Sequence, residues 1–573
     1  MIELNKIGLN QVQLNRLYLN TLSSEQRIRS GGGTGDGFPV LPGDVTRWHF
    51  GGLTNEIMAA MDDPRIEDAD HKGRFLSFKN FAWKGMSGVN GYVQNFNNFK
   101  NNATVDKVRI DEQSSNSIKV TILTTGISNA IYIPKNIYQF NKSYSIKISS
   151  EGYNEGDLSL SFYASSVSTA TTVKVPLNPN GITEIPAIKE DDFLAVYLNV
   201  GGKVGLITIE QLPLYPGALV FDGVDDYGIC DNFPILTKEK GYTVVALRQW
   251  IEEKNDSTAL VSNCEKWGKN GAFLFEYNNL RINFLNVAIS FGHVSSVDRG
   301  KSPFSYQTSK LYNGKNIEPG SLIGSNELVV GKGNKDFSTV SKVAIWELII
   351  LDHDATEEEL TKIKDYFVKT YPWLFPNQAW TVVGKTNEDE DRATIANITG
   401  NGNDLVLSNL GFIEGSGYNE EGEHAGYLVT EGVDDMITSS AFQMGKDFTI
   451  VEDWKFIDNK KSGTGLVKGS SFYIYNTMIG LDLYINSGSV KNSLDGIKSI
   501  NAACSDGRAY DRNWNEILAN TGNVVGSGGI LEVSSSGGRF DRIAFKNLAI
   551  YPRILSKDDC IKAYNYLQTL KAK

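Results

Sequence analysis

Two stretches of sequence, one near the end of each half of the chain, decide the fold. Residues 343–350 read VAIWELII and residues 543–550 read IAFKNLAI, with the second stretch 200 positions after the first. Each is followed by a helix start, Thr356-Glu-Glu-Glu or Ser556-Lys-Asp-Asp, in which a hydroxyl cap precedes acidic residues. The repeat predicts two related modules, each closed by a buried strand and a short amphipathic helix.

The regions upstream of these stretches also match. Residues 219–226 read LVFDGVDD and residues 428–435 read LVTEGVDD, while YTVV at 242–245 parallels FTIV at 448–451. Short runs of β-branched and aromatic residues, broken by Gly, Asn and Asp, fill the tracts between them. This pattern is typical of an antiparallel sandwich with many strands.

The order Phe-Asp-Gly-Val-Asp-Asp-Tyr at 221–227, then a strand, then a closing strand with a short helix, resembles the laminin-G-like family. That family consists of two-sheet jelly rolls within the concanavalin A-like lectin/glucanase group. The resemblance covers residues 216–375 and 426–573, and it implies two jelly-roll modules, at 216–376 and 426–573. Its motif specifies the fold more than the function.

The remaining chain divides around these modules. Two connecting segments, 45–104 and 377–425, share matching blocks such as Thr54-Asn-Glu and Thr386-Asn-Glu. Residues 105–215 alternate in polarity and form an expected inserted β-sandwich, similar in outline to carbohydrate-binding modules. A chain of 573 residues is longer than one hydrophobic core can accommodate. We therefore expect a mainly β, multidomain chain with two jelly rolls and one inserted sandwich.

The first 22 residues, within an N-terminal anchor segment at 1–29, repeat with a period of five. Each block reads Leu-Asn-x-apolar-x, a period that matches neither a helix nor a strand. It suits a narrow solenoid or an extended arm, and in both cases the apolar face needs another chain to cover it. Residues 30–44 are a Gly-rich linker. We predict that the repeat docks the protein onto a larger assembly through Leu4, Asn5, Leu9, Asn10, Leu14, Asn15, Leu19 and Asn20.

Bulk properties exclude several classes of protein. A net charge of −11 argues against nucleic acid as the main partner, which would need clustered Lys and Arg. The N-terminus lacks a signal-peptide core, and no stretch has the length of a membrane span, so neither export nor membrane insertion is expected. Four cysteines in the chain are too few for a disulfide framework, and we expect free, buried thiols.

The acidic turn of the first module allows two interpretations. Carboxylates and backbone carbonyls in a turn can hold Ca²⁺, and many laminin-G-like modules bind calcium. The same residue types also favour tight turns without metal. Calcium is the only cofactor that the sequence suggests, with Asp222, Asp225 and Asp226 as its candidate ligands.

Sugar binding would use exposed aromatic rings that stack on pyranose faces. An aromatic residue in a sandwich is more often part of the core than of a binding surface. The candidates for glycan binding are Trp267, Tyr277, Tyr306, Tyr475, Tyr484 and Trp514.

No catalytic residues are predicted. Glycoside hydrolases with this jelly-roll fold carry a Glu-x-Asp-x-(x)-Glu pattern on one strand, and no such strand is present. The acidic run at 388–391 and the stretch Asp352-His353-Asp354 are expected to be loop, turn or cap residues. We therefore expect a protein that is not an enzyme.

The modules and the segment 384–405 together resemble structural and fibre proteins of crAss-like phages of gut Bacteroidetes. The resemblance implies a virion protein, made in the host cytoplasm, that serves as a head or tail fibre. It would form a dimer or trimer, dock on capsid or tail proteins through residues 1–30 and bind cell-surface or mucus glycans. The alternatives are a bacterial surface glycan-binding protein and a glycoside hydrolase.

Overall fold

A computed structural model shows three β-sandwiches in one chain. It describes residues 28–29, 37–101, 106–126, 129–164, 172–190, 193–237, 239–252, 258–264, 271–277, 302–316, 324–420, 424–458, 465–469, 472–476, 480–485, 493–495, 500–518, 528–533, 535–536 and 539–572. The prediction of a mainly β, multidomain chain with several sandwiches is confirmed.

The first module consists of two sheets, A and B. Sheet A contains β1 (Ile28–Arg29), β3 (Arg65–Glu67), β4 (Phe75–Lys79), β17 (Tyr227–Cys230), β19 (Val261–Cys264), β20 (Gly271–Phe275) and β24 (Leu328–Val330). Sheet B contains β2 (Val45–His49), β5 (Gly88–Val89), β16 (Leu219–Asp222), β18 (Thr243–Glu252), β21 (Phe304–Thr308), β22 (Leu311–Tyr312), β23 (Lys315–Asn316) and β25 (Lys342–Leu351).

The inserted sandwich lies between β5 and β16 in the chain and has two five-stranded sheets, C and D. Sheet C has the order β13 (Ile182–Ile185), β10 (Tyr144–Ser150), β15 (Gly205–Gln211), β8 (Ser117–Ile122) and β7 (Val108–Gln113). Sheet D has the order β12 (Thr172–Pro176), β11 (Ser159–Ala164), β14 (Phe193–Asn199), β9 (Ala130–Pro134) and β6 (Lys100–Asn101).

The second module repeats the first with sheets E and F and two short ribbons. Sheet E contains β26 (Gln378–Thr381), β29 (Gly417–Asn419), β30 (Tyr427–Val429), β33 (Thr449–Asp458), β38 (Ile500–Cys504), β39 (Arg508–Asp511), β40 (Glu516–Leu518) and β45 (Arg542–Tyr551). Sheet F contains β27 (Thr394–Ile395), β28 (Leu405–Ser408), β31 (Met436–Ser439), β34 (Gly465–Gly469), β35 (Phe472–Asn476), β36 (Gly480–Ile485), β37 (Ser493–Asp495) and β42 (Glu532–Val533). The ribbons pair β32 (Phe442–Gln443) with β41 (Gly528–Gly529) and β43 (Ser535–Ser536) with β44 (Arg539–Phe540).

In the part of the chain that the structure describes, three α-helices accompany the sheets: α1 (Asn55–Ala59), α2 (Glu357–Thr370) and α3 (Lys557–Gln568). Thr356 caps α2 in a reciprocal capping box with Glu359, and Ser556 caps α3 through the N–H of Asp559. These are the helix starts that the repeated sequence predicts. Among the described residues, no helix is both long and apolar enough to cross a bilayer.

The segments expected to connect the modules are instead built into their sheets. In the first module, β2 pairs with residues 347–351 of β25, while β16 pairs with residues 342–345 of the same strand. In the second module, β26 pairs with residues 547–550 of β45, beside β30. A lone strand in water leaves its backbone groups without sheet partners, so these strands complete the sandwich rather than link two finished ones.

Hydrophobic cores fill each sandwich, and one core joins them. A core between sheets A and B includes Trp48 and Phe221, and the corresponding core in the second module includes Trp380 and Leu428. Another core extends over the outer sides of both modules, with members in α2, α3 and the inserted sandwich. All four cysteines are buried and free, which confirms the prediction made from their number.

Candidate functional site

The acidic stretch of the first module forms a tight turn between β16 and β17. Asp226 is fully buried at the base of the turn, Asp222 is partly buried and Asp225 is exposed. Asp226 Oδ2 accepts a hydrogen bond from the backbone N–H of Asp222, and Oδ1 accepts one from the Ser87 hydroxyl, both at 3.0 Å. The buried carboxyl therefore ties the turn to the loop before β5.

The second module contains the same turn. Asp435 is fully buried, and its Oδ2 accepts the backbone N–H of Glu431 at 2.7 Å and the Ser416 hydroxyl at 3.0 Å. Ser416 in turn accepts the N–H of Gly411 at 2.8 Å. The repeated sequence at 219–226 and 428–435 thus encodes a repeated hydrogen-bond arrangement.

An asparagine directly after a neighbouring strand, β4 in the first module and β28 in the second, also holds each turn. Asn80 Nδ2 donates to the carbonyl of Asp225, and Asn409 Nδ2 donates to the carbonyl of Asp434, each at 3.0 Å. Both asparagines have a φ of 67°, a left-handed conformation that Asn tolerates better than most residues. The match between the modules extends to this backbone detail.

Burial dominates the electrostatics of the turns. Loss of water around Asp226 raises its pKa to about 8, even though the hydrogen bonds it accepts favour the ionised form. The pKa of Asp435 is raised for the same reason. The pKa of Glu431 is raised mainly because it shares a hydrogen bond with Asp434 and lies near Asp435. Each turn therefore keeps a protonatable carboxyl at its base.

The carboxylates of the first turn can be compared with the ligands that a calcium site requires. One carboxylate oxygen from each of Asp222, Asp225 and Asp226 can be chosen so that all lie within 4.8 Å of one another. Ca²⁺ takes roughly six to eight oxygen ligands. However, both Asp226 oxygens already accept hydrogen bonds, and Asp222 Oδ1 accepts the N–H of Val224 at 2.7 Å. The residues fit a hydrogen-bonded turn better than a calcium cage, and calcium binding stays a prediction.

The two other acidic stretches serve turns and caps. Asp354 accepts both the N–H and the hydroxyl of Ser309 at 2.8 Å, and Asp352 accepts the N–H of Asp44 at 2.8 Å. In the run at 388–391, Asp389 accepts the N–H and the hydroxyl of Thr386 at 3.0 Å. These contacts agree with their interpretation as loop and cap residues.

The aromatic residues predicted to bind glycans have different environments. The side chains of three candidates lie outside the described part of the structure: Trp267, Tyr475 and Tyr484. Tyr277 and Trp514 are only 5% and 3% exposed, so neither has a ring face available to a sugar and both predictions fail through burial. Tyr306 is partly buried beside Phe304, with ring centroids 5.9 Å apart.

The inserted sandwich carries a different group of aromatic rings, on the outer face of sheet D. Tyr163 on β11, Tyr197 on β14 and Tyr132 on β9 come from three adjacent strands. The ring centroids of Tyr163 and Tyr197 are 5.4 Å apart, and those of Tyr132 and Tyr197 are 5.5 Å apart. Tyr163 is 40% exposed, and the other two are partly exposed. We call these three residues the tyrosine face.

The alternation of each strand explains why these rings point outward. Neighbours such as Ile131, Phe162, Val196 and Leu198 belong to the core between sheets C and D. Since successive side chains on a strand point to opposite sides, the tyrosines between them must face away from that core. The outward orientation is therefore a consequence of the apolar pattern of the strands.

Hydrogen-bonding groups lie beside the rings on the same face. Asn199 Nδ2 donates to the hydroxyl oxygen of Ser161 at 2.8 Å and to that of Ser159 at 3.2 Å. Ser161 and Ser159 are buried, whereas Asn199 is partly exposed. The amide is thus held in place by the serines, with its remaining hydrogen-bonding capacity near Tyr197.

Comparisons with known proteins identify no family for the chain. No family model and no curated protein matches it. Among solved structures, Trypanosoma rangeli sialidase in complex with sialic acid matches with 9% identity and a TM-score of 0.24, covering 86% of this chain and 91% of that one. The N-terminal CBM22-1–CBM22-2 tandem of Paenibacillus barcinonensis Xyn10C matches with 10% identity and a TM-score of 0.15, covering 47% and 99%. TM-scores this low carry no argument about function.

The prediction that the chain is not an enzyme is contradicted by the same comparison. The solved structures that match most of its length include a series of sialidases, which are enzymes. The lack of an acidic pair on one strand is therefore insufficient ground for excluding catalysis, and that prediction is withdrawn. At about 9% identity, the similarity does not assign an activity in its place.

Proposed function

We propose that this protein binds glycans through the tyrosine face of its inserted sandwich. The observation that carries the proposal is the placement of three tyrosine rings on adjacent strands, with centroids 5.4 and 5.5 Å apart on an outward surface. These partly exposed rings lie outside the core between sheets C and D, so their position calls for an explanation other than packing in that core. A ligand with flat apolar faces supplies one.

The chemistry of the face suits sugars in particular. A pyranose presents C–H groups on its ring faces and hydroxyls around its edge. The tyrosine rings offer apolar area together with phenolic hydroxyls, and Asn199 offers an oriented amide. Ligand sites commonly combine such apolar surface with a few placed polar groups.

Binding can be tested by affinity gel electrophoresis of the whole chain in soluble xylan, dextran and pectin. We expect retardation by at least one of these polysaccharides. Tyr197→Ala, which removes the central ring, should weaken that binding roughly tenfold or more, as expected for an aromatic anchor at the centre of a contact surface. An unchanged affinity in Tyr197→Ala and Tyr132→Ala would overturn the proposal.

Tyr306→Ala is the matched comparison. Tyr306 is a partly buried tyrosine of the first module and the one aromatic candidate from the sequence with a described side chain that remains partly accessible. We expect its replacement to leave binding unchanged. Loss of binding in this variant alone would move the site from the inserted sandwich to the first module.

We further propose that this glycan-binding body belongs to a virion fibre, attached to a head or a tail through residues 1–30. The Leu-Asn repeat of the first 20 residues and the Gly-rich linker that follows support this role, since they have the layout of an anchor and a hinge. Size-exclusion chromatography with light scattering should show a dimer or trimer. Deletion of residues 1–29 should abolish incorporation into particles and leave glycan binding intact. A variant that still enters particles would refute the docking role.

A further inference from the structure

The five strands of sheet D are unusual in charge. Their only charged residues are two lysines, Lys100 on β6 and Lys174 on β12. The whole chain, in contrast, carries a net charge of −11. The strands that present the tyrosines therefore carry only positive charge, on a protein that is negative overall.

The pairing of the strands places both lysines in line with the rings. Lys174 pairs with Ser161, Ser161 with Tyr197, Tyr197 with Tyr132, and Tyr132 with Lys100. These five residues form one cross-strand row, which runs over five strands and measures about 19 Å at the usual spacing of about 4.8 Å between strands. A lysine stands at each end of the row, with the rings between them.

Both lysines are available to a ligand. Lys100 and Lys174 are exposed, and neither forms an ion pair with any residue that the structure describes. Lys119, on the other sheet of the same sandwich, is bound to Glu112 at 3.0 Å. An ammonium group without a counter-charge at the end of a ligand platform can accept one from the ligand.

The opposite sheet shows that this arrangement is not general to the sandwich. The strands of sheet C mix both signs of charge, with Arg109, Asp111, Glu112, Lys119, Lys147, Glu184 and Glu210. A face that carries both signs attracts no particular ligand charge. Of the two sheets of this sandwich, only sheet D, which carries the tyrosine face, has no acidic residue on any of its strands.

From this row we infer that the ligand of the tyrosine face is an acidic polysaccharide, bearing carboxylate or sulfate groups, that lies across the strands from Lys174 to Lys100. This inference rests on the proposed function. The rings would contact the sugar faces, and the lysines would contact acidic groups some distance apart on the chain. Exposed ion pairs are individually weak, so the lysines set the preference for charge while the rings supply most of the binding.

The test compares two pairs of polymers that differ in charge: polygalacturonate with its methyl ester, and dextran sulfate with dextran. Affinities of the whole chain are measured by isothermal titration calorimetry at low and high ionic strength. We expect the chain to prefer at least one acidic polymer to its neutral counterpart. The pair that shows the preference identifies carboxylate or sulfate as the recognised group. High salt should reduce the preference because it screens exposed charges.

Lysine and tyrosine variants distinguish the inference about acidic ligands from the proposed glycan binding itself. Replacing both lysines (Lys100→Gln with Lys174→Gln) should reduce the affinity for the acidic polymer roughly tenfold at low salt, because each lost ion pair is worth up to about fivefold. The affinity for the neutral polymer should not change. Lys147→Gln, which removes an exposed lysine from the opposite sheet, should change neither. Equal affinity for acidic and neutral polymers, with no effect of the lysine variants, would overturn the inference and leave glycan binding standing. If the chain bound none of the four polymers, the inference would be overturned. Unchanged glycan affinity in both Tyr197→Ala and Tyr132→Ala would overturn the proposed function itself.

Discussion

The two modules agree closely at their acidic turns and differ at their buried polar positions. Glu347 on β25 of the first module is fully buried and accepts the hydroxyls of Tyr366 at 2.8 Å and Tyr371 at 3.0 Å. It also pairs with His49 at 3.0 Å and Arg47 at 3.5 Å. Two tyrosine hydroxyls, an imidazole and a guanidinium thus meet at one buried carboxylate.

The equivalent position in the second module is Asn547 on β45. It is fully buried, and its amide nitrogen and oxygen have no hydrogen-bond partner in the described structure. Glu452 on β33 of the same module is also buried with both carboxyl oxygens unpartnered, where the first module has Ala246. Both copies have the closed turn, whereas the buried polar side chain at this position of the closing strand is hydrogen-bonded only in the first.

The largest difference between the modules should come from breaking the Glu347 network. Glu347→Gln removes the carboxylate that pairs with the buried Arg47, and the free energy of unfolding should fall by about 3–5 kcal/mol. Asn547→Leu should have no cost or increase stability, because it removes an amide that has no partner. Urea denaturation followed by tryptophan fluorescence measures both changes. Equal losses in the two variants would contradict the comparison.

A pH dependence should distinguish the modules next. Burial raises the pKa of Glu452 to about 8, so the folded state holds a proton that the unfolded state releases above about pH 4.5. Its contribution to stability is therefore complete below that pH and is lost as the pH rises through about 8. Replacing the carboxyl in Glu452→Leu should stabilise the protein at pH 9, by at most about 5 kcal/mol, and change little at pH 5.

Thermal unfolding of Glu452→Leu and the parent chain across this pH range checks the sign. The buried Asp226 carboxyl shifts in the same direction, so some pH dependence should remain in the variant. A stability that rose between pH 5 and pH 9 in the parent chain would contradict the expectation for both groups.

The acidic turns should respond equally in the two modules, with a smaller effect. Ser87→Ala and Ser416→Ala each remove a hydroxyl that donates to a buried carboxyl and accepts a backbone N–H. Each loss should cost about 1–3 kcal/mol, since the partners stay buried. Denaturant midpoints of the two variants should agree. A clear difference would show that the turns match in geometry and differ in energy.

Calcium should have the smallest effect. The protein's own hydrogen bonds already occupy both Asp226 oxygens, so added Ca²⁺ should stabilise the fold by about 1 kcal/mol at most, the gain for a ligand at a few times its Kd. Scanning calorimetry with calcium and with EGTA measures it, and Asp225→Ala is the control. A large shift that this variant abolishes would establish the predicted site at Asp222, Asp225 and Asp226.

Much of the fold could be predicted because the repeats are local in sequence. The stretches 343–350 and 543–550 carry their own apolar pattern and are followed at once by the caps Thr356 and Ser556. The strands at 45–49 and 378–381 were harder to predict. Their side chains are buried on both sides of the sheet, so they show no clean alternation of apolar and polar residues.

The tyrosine face could not be predicted, because it depends on strand order. Tyr132, Tyr163 and Tyr197 are far apart in the chain, and β14 lies between β11 and β9 in sheet D. The register of β14 with its two neighbours sets which residues share a row, and it places Tyr197 opposite Tyr132. Neither the order nor the register leaves a mark in a single sequence. Outward tyrosines in each alternating strand were the available signal, and a search for them would have selected all three.

The core shared by the three sandwiches has a mechanical consequence. Tyr564 of α3 donates to Glu184 of the inserted sandwich at 3.0 Å, Gln249 of the first module donates to Thr569 at 2.8 Å, and Ile182 packs in the same core. Tension on a tethered ligand would therefore load these junctions in shear before it could open any one sandwich. Under flow, the contacts between the sandwiches would break first, and the C-terminal helix α3 would be the element that holds the sandwiches together.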